Sequence, residues 1–252
     1  MKTRWDYTAA ATFYNKRPRY ASKVVEWMLT IADINKNSFI CDIGAGTGNL
    51  TSMLAKEKCM ITAVEPNNAM RSIGKKNTTK YGNIEWIDAT GEVTGLPSNM
   101  YDLVTYASSF NVTDRNASLI EAKRILKNDC WIACMWNHRD TEDALQYRID
   151  EIIKKHIPNY DSDQYGTRQE DQKSIILSSG LFHNVKIERM KFEHEFSCKD
   201  YIESWKSHGT MHPDTQLEFE KIVYEIDNLL HQNGIKNIVV PYITKVWMAQ
   251  SK

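Results

Sequence analysis

The stretch Phe39-Ile-Cys-Asp-Ile-Gly-Ala-Gly-Thr-Gly-Asn-Leu50 decides the architecture of this 252-residue chain. A short apolar run containing the acid Asp42 meets three glycines at alternate positions, Gly44, Gly46 and Gly48, and a helical pattern follows from Leu50 to Ala55. The pattern predicts a buried strand turning sharply into a helix. Glycine permits positive φ there and lets a ligand approach the main chain with no Cβ in the way. The spacing differs from the dinucleotide fingerprint Gly-x-Gly-x-x-Gly, because Asn49 holds its sixth position. It is no phosphate-cradling P-loop either, since no Gly-Lys-Ser/Thr follows.

Working outward, Met60-Ile-Thr-Ala-Val-Glu65 reads as a second buried strand ending in an acid, 21 residues beyond Gly44. An acid at that separation, at the tip of the neighbouring parallel strand, can accept hydrogen bonds from both hydroxyls of a ribose. Pro66-Asn67-Asn68 opens a helix with Asn as N-cap, and Met70 can lie against an adenine face. Asn83 to Asp88 and Tyr101 to Ala107 read as strands three and four, Thr113 to Leu126 as a helix, and Cys130 to Trp136 as strand five.

These segments together resemble the class I S-adenosylmethionine (SAM) methyltransferases. Gly-x-Gly-x-Gly preceded by an acid is similar to their motif I, and residues 63–70 (AVEPNNAM) are what the family carries after strand two. Residues 89–97 (ATGEVTGLP) resemble its adenine loop, with Thr90 where many relatives place Asp. Residues 121–137 (EAKRILKNDCWIACMWN) resemble the helix and strand that follow. The likeness runs from about residue 6 to the C-terminus and includes residues 5–20 (WDYTAAATFYNKRPRY). Within the family the chain resembles the small-molecule group of trans-aconitate methyltransferase and natural-product enzymes.

The resemblance implies roles. Asp42, Gly44, Ala45, Gly46 and Gly48 are expected along the methionine side of SAM, Glu65 at the ribose, and Pro66, Met70, Thr90, Gly91 and Glu92 around the adenine. Ala107 and Ser108 are expected to flank the sulfonium. Tyr14 and Arg17 match a family pair, with Arg17 facing either the cofactor carboxylate or an acidic substrate. Candidate bases are His138, after strand five, and His208. Trp205, His208 and His212 are candidates for the acceptor pocket. Relatives carry His-Trp after strand four where this chain has Asn111-Val112, which favours an acceptor that needs no strong base.

Strand–helix alternation through residue 137 predicts an α/β, Rossmann-like, seven-stranded and mostly parallel sheet whose last strand is antiparallel, with helical lid elements. One methyltransferase domain is expected over residues 1–252, with an N-terminal helical cap at 1–35, a SAM-binding core at 36–137 and a lid insert at 198–235. Two antiparallel strands, Phe182 to Ser197 and Asn237 to Ala249, flank that insert, whose helices are expected over Cys198 to Ser207 and Thr215 to Gln232. Further helices are expected over Ala21 to Ile34, about 141–156 and about 169–179.

Composition narrows the activity. Thirty-two basic and 32 acidic residues balance to zero, without the basic excess of a protein that tracks nucleic acid. Five cysteines at 41, 59, 130, 134 and 198 lack metal spacing and read as reduced thiols. No metal, nucleic-acid or membrane partner is expected, and a cytoplasmic monomer or homodimer is. The chain therefore reads as an enzyme that moves a methyl group from SAM to nitrogen or oxygen of a small molecule, with secondary metabolism as a candidate setting. Alternatives are a methyltransferase of protein or RNA, a dinucleotide-binding oxidoreductase, and a SAM-binding protein without activity.

Overall fold

The computed structural model describes residues 6–158, 171–207, 216–232 and 236–252. Seven strands form one sheet: β1 (Phe39–Ile43), β2 (Met60–Val64), β3 (Ile84–Ile87), β4 (Tyr101–Ala107), β5 (Leu126–Arg139), β6 (Phe182–Ser197) and β7 (Asn237–Ser251). Their order is β3-β2-β1-β4-β5-β7-β6. The first five are parallel, and β7 runs antiparallel to both neighbours. The chain winds outward from β1 in one direction and from β4 in the other, which opens a crevice at their carboxyl ends.

The nine helices among the described residues are α1 (Ala11–Tyr14), α2 (Ser22–Ile31), α3 (Thr51–Leu54), α4 (Asn68–Thr78), α5 (Arg115–Ile125), α6 (Ala144–His156), α7 (Gln172–Ser178), α8 (Cys198–Trp205) and α9 (Gln216–Gln232). Successive strand residues face opposite sides, so each strand feeds two cores. Ile40, Ile61, Leu103 and Met135 meet Val24, Met28 and Leu54 from α2 and α3. Cys41, Val64, Val104 and Ile132 meet Leu119, Ile125 and Ile176 from α5 and α7.

A third core explains the long segment between the last two strands. The β6–β7 ribbon continues past the Arg139–Tyr242 pair to Ser197–Asn237. On this extension Phe196, Ile238 and Val240 pack with Ile149 and Ile153 of α6, Tyr201 and Trp205 of α8, and Ile222, Ile226 and Leu230 of α9. The insert is thus anchored by its own apolar cluster.

Several boundaries differ from the sequence expectation. Helix α2 stops at Ile31 and not at Ile34, because Asp33 takes a left-handed φ of 51°. Helix α5 starts at Arg115, where the side chain of Asp114 caps the N–H of Ala117. Strand β5 extends beyond Cys130–Trp136 at both ends, because Leu126 pairs with Tyr101 of β4 and β7 pairs with it as far as Arg139. Helix α6 begins at Ala144, capped by Asp143. Helix α7 begins at Gln172, where the side chain of Asp171 caps the N–H of Ser174, and residues 159–170 lie outside the described residues. All five cysteines are free thiols. Among the described residues no cluster of ligating side chains suits a metal, and no helix is long and apolar enough to cross a membrane.

Candidate active site

The glycine turn lies where β1 meets α3. Gly44, Gly46 and Gly48 have φ of 67°, 58° and 82°, a region closed to most side chains. Space is also tight. A Cβ on Gly44 would lie 2.4 Å from Cβ of Ser109, and one on Gly46 would lie 3.3 Å from Cε of Met70. Asp42 is fully buried beneath the turn, accepting hydrogen bonds from Oγ1 of Thr51 at 2.6 Å and of Thr105 at 2.8 Å. Burial pushes its carboxyl up to about 6, against the pull of these two hydroxyls.

Glu65 closes the turn from the tip of β2. Its Oε2 accepts the N–H of Gly46 and its Oε1 that of Asn67, each at 2.8 Å. Burial raises its pKa, while those two N–H groups and the Arg71 guanidinium act the other way. Asn67 caps α4 by accepting from the N–H of Met70. Gly91 packs against Ile43 and Thr113, and Oε1 of Glu92 accepts the N–H of Asp114, which fixes the loop after β3 to the start of α5. Pro66 and Thr90 are half-buried at the rim of these loops.

At the tip of β4, Ala107 leads into Ser108, which has a left-handed φ of 58° and donates its N–H to the carbonyl of Met135. Its hydroxyl lies 3.0 Å from that of Tyr20. Tyr20 ends a strap, residues 6–20, that crosses the carboxyl edge of the sheet. One end of the strap bonds to the side chain of Asn67 through Asp6 and Thr8, and Asn15 accepts from Asn77. The other end reaches the insert, where Lys16 pairs with Asp200 at 2.5 Å. Arg17 donates to Oγ of Ser207 at 2.9 Å and to its carbonyl at 2.7 Å, and also to the hydroxyl of Tyr14. Asn137 donates to the carbonyls of Pro18 and Arg19.

The sequence-predicted residues therefore fall into four groups. Residues 42–48, 65–70, 90–92 and 107–108 lie at the carboxyl ends of β1 to β4, and Tyr14 and Arg17 belong to the strap that crosses that edge. Trp205 is buried in the insert core with the Arg139 guanidinium carbon 3.9 Å from its ring centroid. His138 follows Trp136 on the sheet face of α5 and α7, opposite to Asn137, which bonds to the strap, and to Arg139, which meets Trp205 of the insert. His208 and His212 lie outside the described residues.

Four site features escaped sequence reading. Tyr20, Thr51 and Thr105 are tied to predicted residues only through the fold. Oγ1 of Thr47, buried within the glycine turn, has no hydrogen-bond partner among the described residues, and its position between Gly46 and Gly48 was the available signal.

Glu65 takes the N–H of Gly46, a donor that a phosphate at this turn would need, and presents a carboxylate that would repel it. Its remaining lone pairs suit sugar hydroxyls.

Residues 41–134 match the family model of a methyltransferase domain. The matched stretch, which holds the glycine turn and the loops around it, is similar to a class I SAM-dependent methyltransferase domain. An uncharacterised methyltransferase of Schizosaccharomyces pombe is 28% identical over 225 residues, covering 88% of this chain and 86% of the relative. Among solved structures, a protein described as a type II methyltransferase from Anaeromyxobacter dehalogenans superposes with a TM-score of 0.68 at 16% identity, over 93% of this chain and 97% of that one. Haemonchus contortus phosphoethanolamine N-methyltransferase 2, solved with phosphomonomethylethanolamine and S-adenosylhomocysteine, gives a TM-score of 0.57 at 12% identity, over 97% of this chain and 57% of that one.

Proposed function

We propose that this methyltransferase transfers the methyl group to a nitrogen or oxygen of a small molecule enclosed beneath the strap and the insert. The observation that carries the reading is the double tether of residues 6–20, through Asp6 and Thr8 to Asn67 at the start of α4 and through Lys16 and Arg17 to α8 and Ser207. A strap held at both sides of the crevice leaves room for a compact acceptor and obstructs a folded macromolecule. The zero formal charge points the same way.

When bound, SAM supplies an electrophilic methyl group on a sulfonium. The residues around it bind and align. The turn at Gly44, Ala45, Gly46 and Gly48 would hold the methionine part, with Asp42 beneath contributing a negative field. Glu65 would take the ribose hydroxyls, and Pro66, Met70, Thr90, Gly91 and Glu92 would enclose the adenine. Ala107 and Ser108 would face the sulfonium. Tyr14 and Arg17 would close the strap over the crevice. Transfer to such an acceptor is an in-line displacement, for which alignment in a closed site supplies much of the acceleration.

Calorimetry with SAM, S-adenosylhomocysteine and NAD tests the cofactor assignment, with micromolar affinity expected for the first two and none for NAD. A labelled-methyl assay then compares small amines and hydroxyl compounds with folded protein and RNA. Label entering only macromolecules would overturn the small-molecule reading.

A further inference from the structure

The insert brings a second guanidinium to the strap's edge of the crevice. Arg139 is the last residue of β5 and pairs in register with Tyr242 of β7. Its guanidinium lies over the ring of Trp205, and its positive charge favours the ionised form of the buried Tyr201 phenol. Tyr201 in turn donates to Oε1 of Gln146 at 3.0 Å, while Nε2 of that glutamine is buried without a partner among the described residues. Arg17 approaches from the strap, held by the neutral oxygens of Ser207 and Tyr14. Both guanidiniums bear on the buried phenol of Tyr242, which burial pushes up and which the two positive charges pull down. Two cations, two phenols and an indole thus converge where β5 and β7 leave the sheet. Positive charge in a half-buried, aromatic-walled corner favours an anion, and a guanidinium stacked on an indole presents its N–H edge in a fork that matches a planar oxyanion.

Position decides which part of a substrate would meet this corner. Ala107, assigned to the sulfonium, pairs with Met135. Arg139 lies four residues further along β5, a backbone distance of roughly 13 Å at ~3.3 Å per residue. An arginine side chain spans only part of that gap. An anion held here is therefore not the atom that receives the methyl group.

We propose that the acceptor is a bifunctional small molecule whose carboxylate or phosphate is held by Arg139 and Arg17 against Trp205, Tyr201 and Tyr242, while a separate amine or hydroxyl group reaches Ser108. This rests on the SAM-binding reading of the crevice but is tested apart from it.

Tryptophan fluorescence of the intact protein, with and without S-adenosylhomocysteine, is to be titrated with 4-aminobenzoate, 4-aminophenyl phosphate and neutral 4-aminobenzamide. Saturable quenching by one or both anions, at least tenfold tighter than by the amide, is expected. The carboxylate and phosphate arms identify which oxyanion the corner prefers. Arg139→Gln is expected to weaken anion binding at least tenfold, Arg139→Lys to restore part of it, and both to leave S-adenosylhomocysteine affinity within twofold. Equal binding of anions and amide, or anion binding unchanged in Arg139→Gln, overturns the proposal. Should Arg139→Gln fail to fold, Arg17→Gln supplies the anion-against-amide comparison alone, because Arg17 also closes the strap over the crevice and its S-adenosylhomocysteine affinity is not part of that reading. Loss of S-adenosylhomocysteine binding in the unmodified protein would count against the cofactor reading alone, because the anion titration is read without it as well.

Discussion

Gly46 donates its backbone N–H to Oε2 of Glu65 across 2.8 Å, so the glycine turn and the tip of β2 form one hydrogen-bonded unit. The other carboxylate oxygen serves the N–H of Asn67 at the start of α4. Replacing Glu65 by Ala strands both buried donors and removes the acceptor proposed for the ribose. Unmet buried donors and a lost charged hydrogen bond cost about 1–3 kcal/mol. SAM affinity should therefore fall roughly 5- to 150-fold in calorimetry. An unchanged dissociation constant would remove Glu65 from the cofactor site.

Gly44 is the least replaceable of the three turn glycines. Its φ of 67° is one penalty, and the crowding of a Cβ, which would lie only 2.4 Å from Cβ of Ser109, is a separate one. Ser109 cannot easily retreat, because its hydroxyl is bonded to the carbonyl of Ile43 at 2.6 Å. Strain at such a position costs of order 1–3 kcal/mol, and overpacking adds to it. Gly44→Ala should lower the urea midpoint of unfolding and abolish SAM binding, whereas Gly95→Ala, with a φ of 70° but open space around it, should lower only the midpoint. Retention of SAM binding by Gly44→Ala would contradict the close approach proposed there.

What sequence reasoning reached was local or periodic. The turn, the acid after β2 and the β6 span of Phe182 to Ser197 are each written in contiguous residues, and the structure reproduces that span to the residue. The corner at Arg139 was not legible in this way. Strand residues 138 and 139 face opposite sides of the sheet, and nothing in Trp136-Asn-His-Arg139 states which side the strap will cover. His138 drew notice for its chemistry, yet Arg139 is the residue that reaches the insert. Likewise Tyr20 meets Ser108 across 88 positions of sequence, and Thr105 meets Asp42 across 63. Such pairs follow from topology, and no spacing rule within one segment announces them.

Asp42 makes the fold sensitive to pH in a defined direction. Burial raises its carboxyl from 3.8 to about 6 in the folded protein. The folded state thus binds the proton more tightly than the unfolded chain. The corresponding stability is fully present below about pH 4 and is lost as pH rises through about 6. Asp42→Asn has no proton to exchange, so the stability difference between wild type and variant should shift against the wild type by on the order of 2–3 kcal/mol from pH 4 to pH 7. Urea unfolding of both proteins across that range is the measurement. SAM, a cation, favours the ionised carboxylate, so its affinity should rise over the same interval in wild type and stay flat in the variant. A parallel pH dependence in both proteins would assign the titration to another group.

The strap depends on Arg17 more than on any ion pair. Lys16 and Asp200 are each more than a third exposed, and a pair in that setting contributes about 0–1 kcal/mol. Arg17 instead makes two bonds to Ser207, whose own hydroxyl is fully buried and donates to the carbonyl of Ser204. Arg17→Ala should therefore release residues 14–20 from the end of α8, while strands β1 to β5, to which Arg17 makes no hydrogen bond, keep their stability. Hydrogen exchange is the discriminating readout. Faster exchange is expected in both 14–20 and 198–207, with β1 to β5 unchanged. Lys16→Ala should leave both segments nearly as protected as in wild type. If the two variants behaved alike, the strap would be held by packing of α1 against α4 and α8 and not by the Arg17–Ser207 bonds.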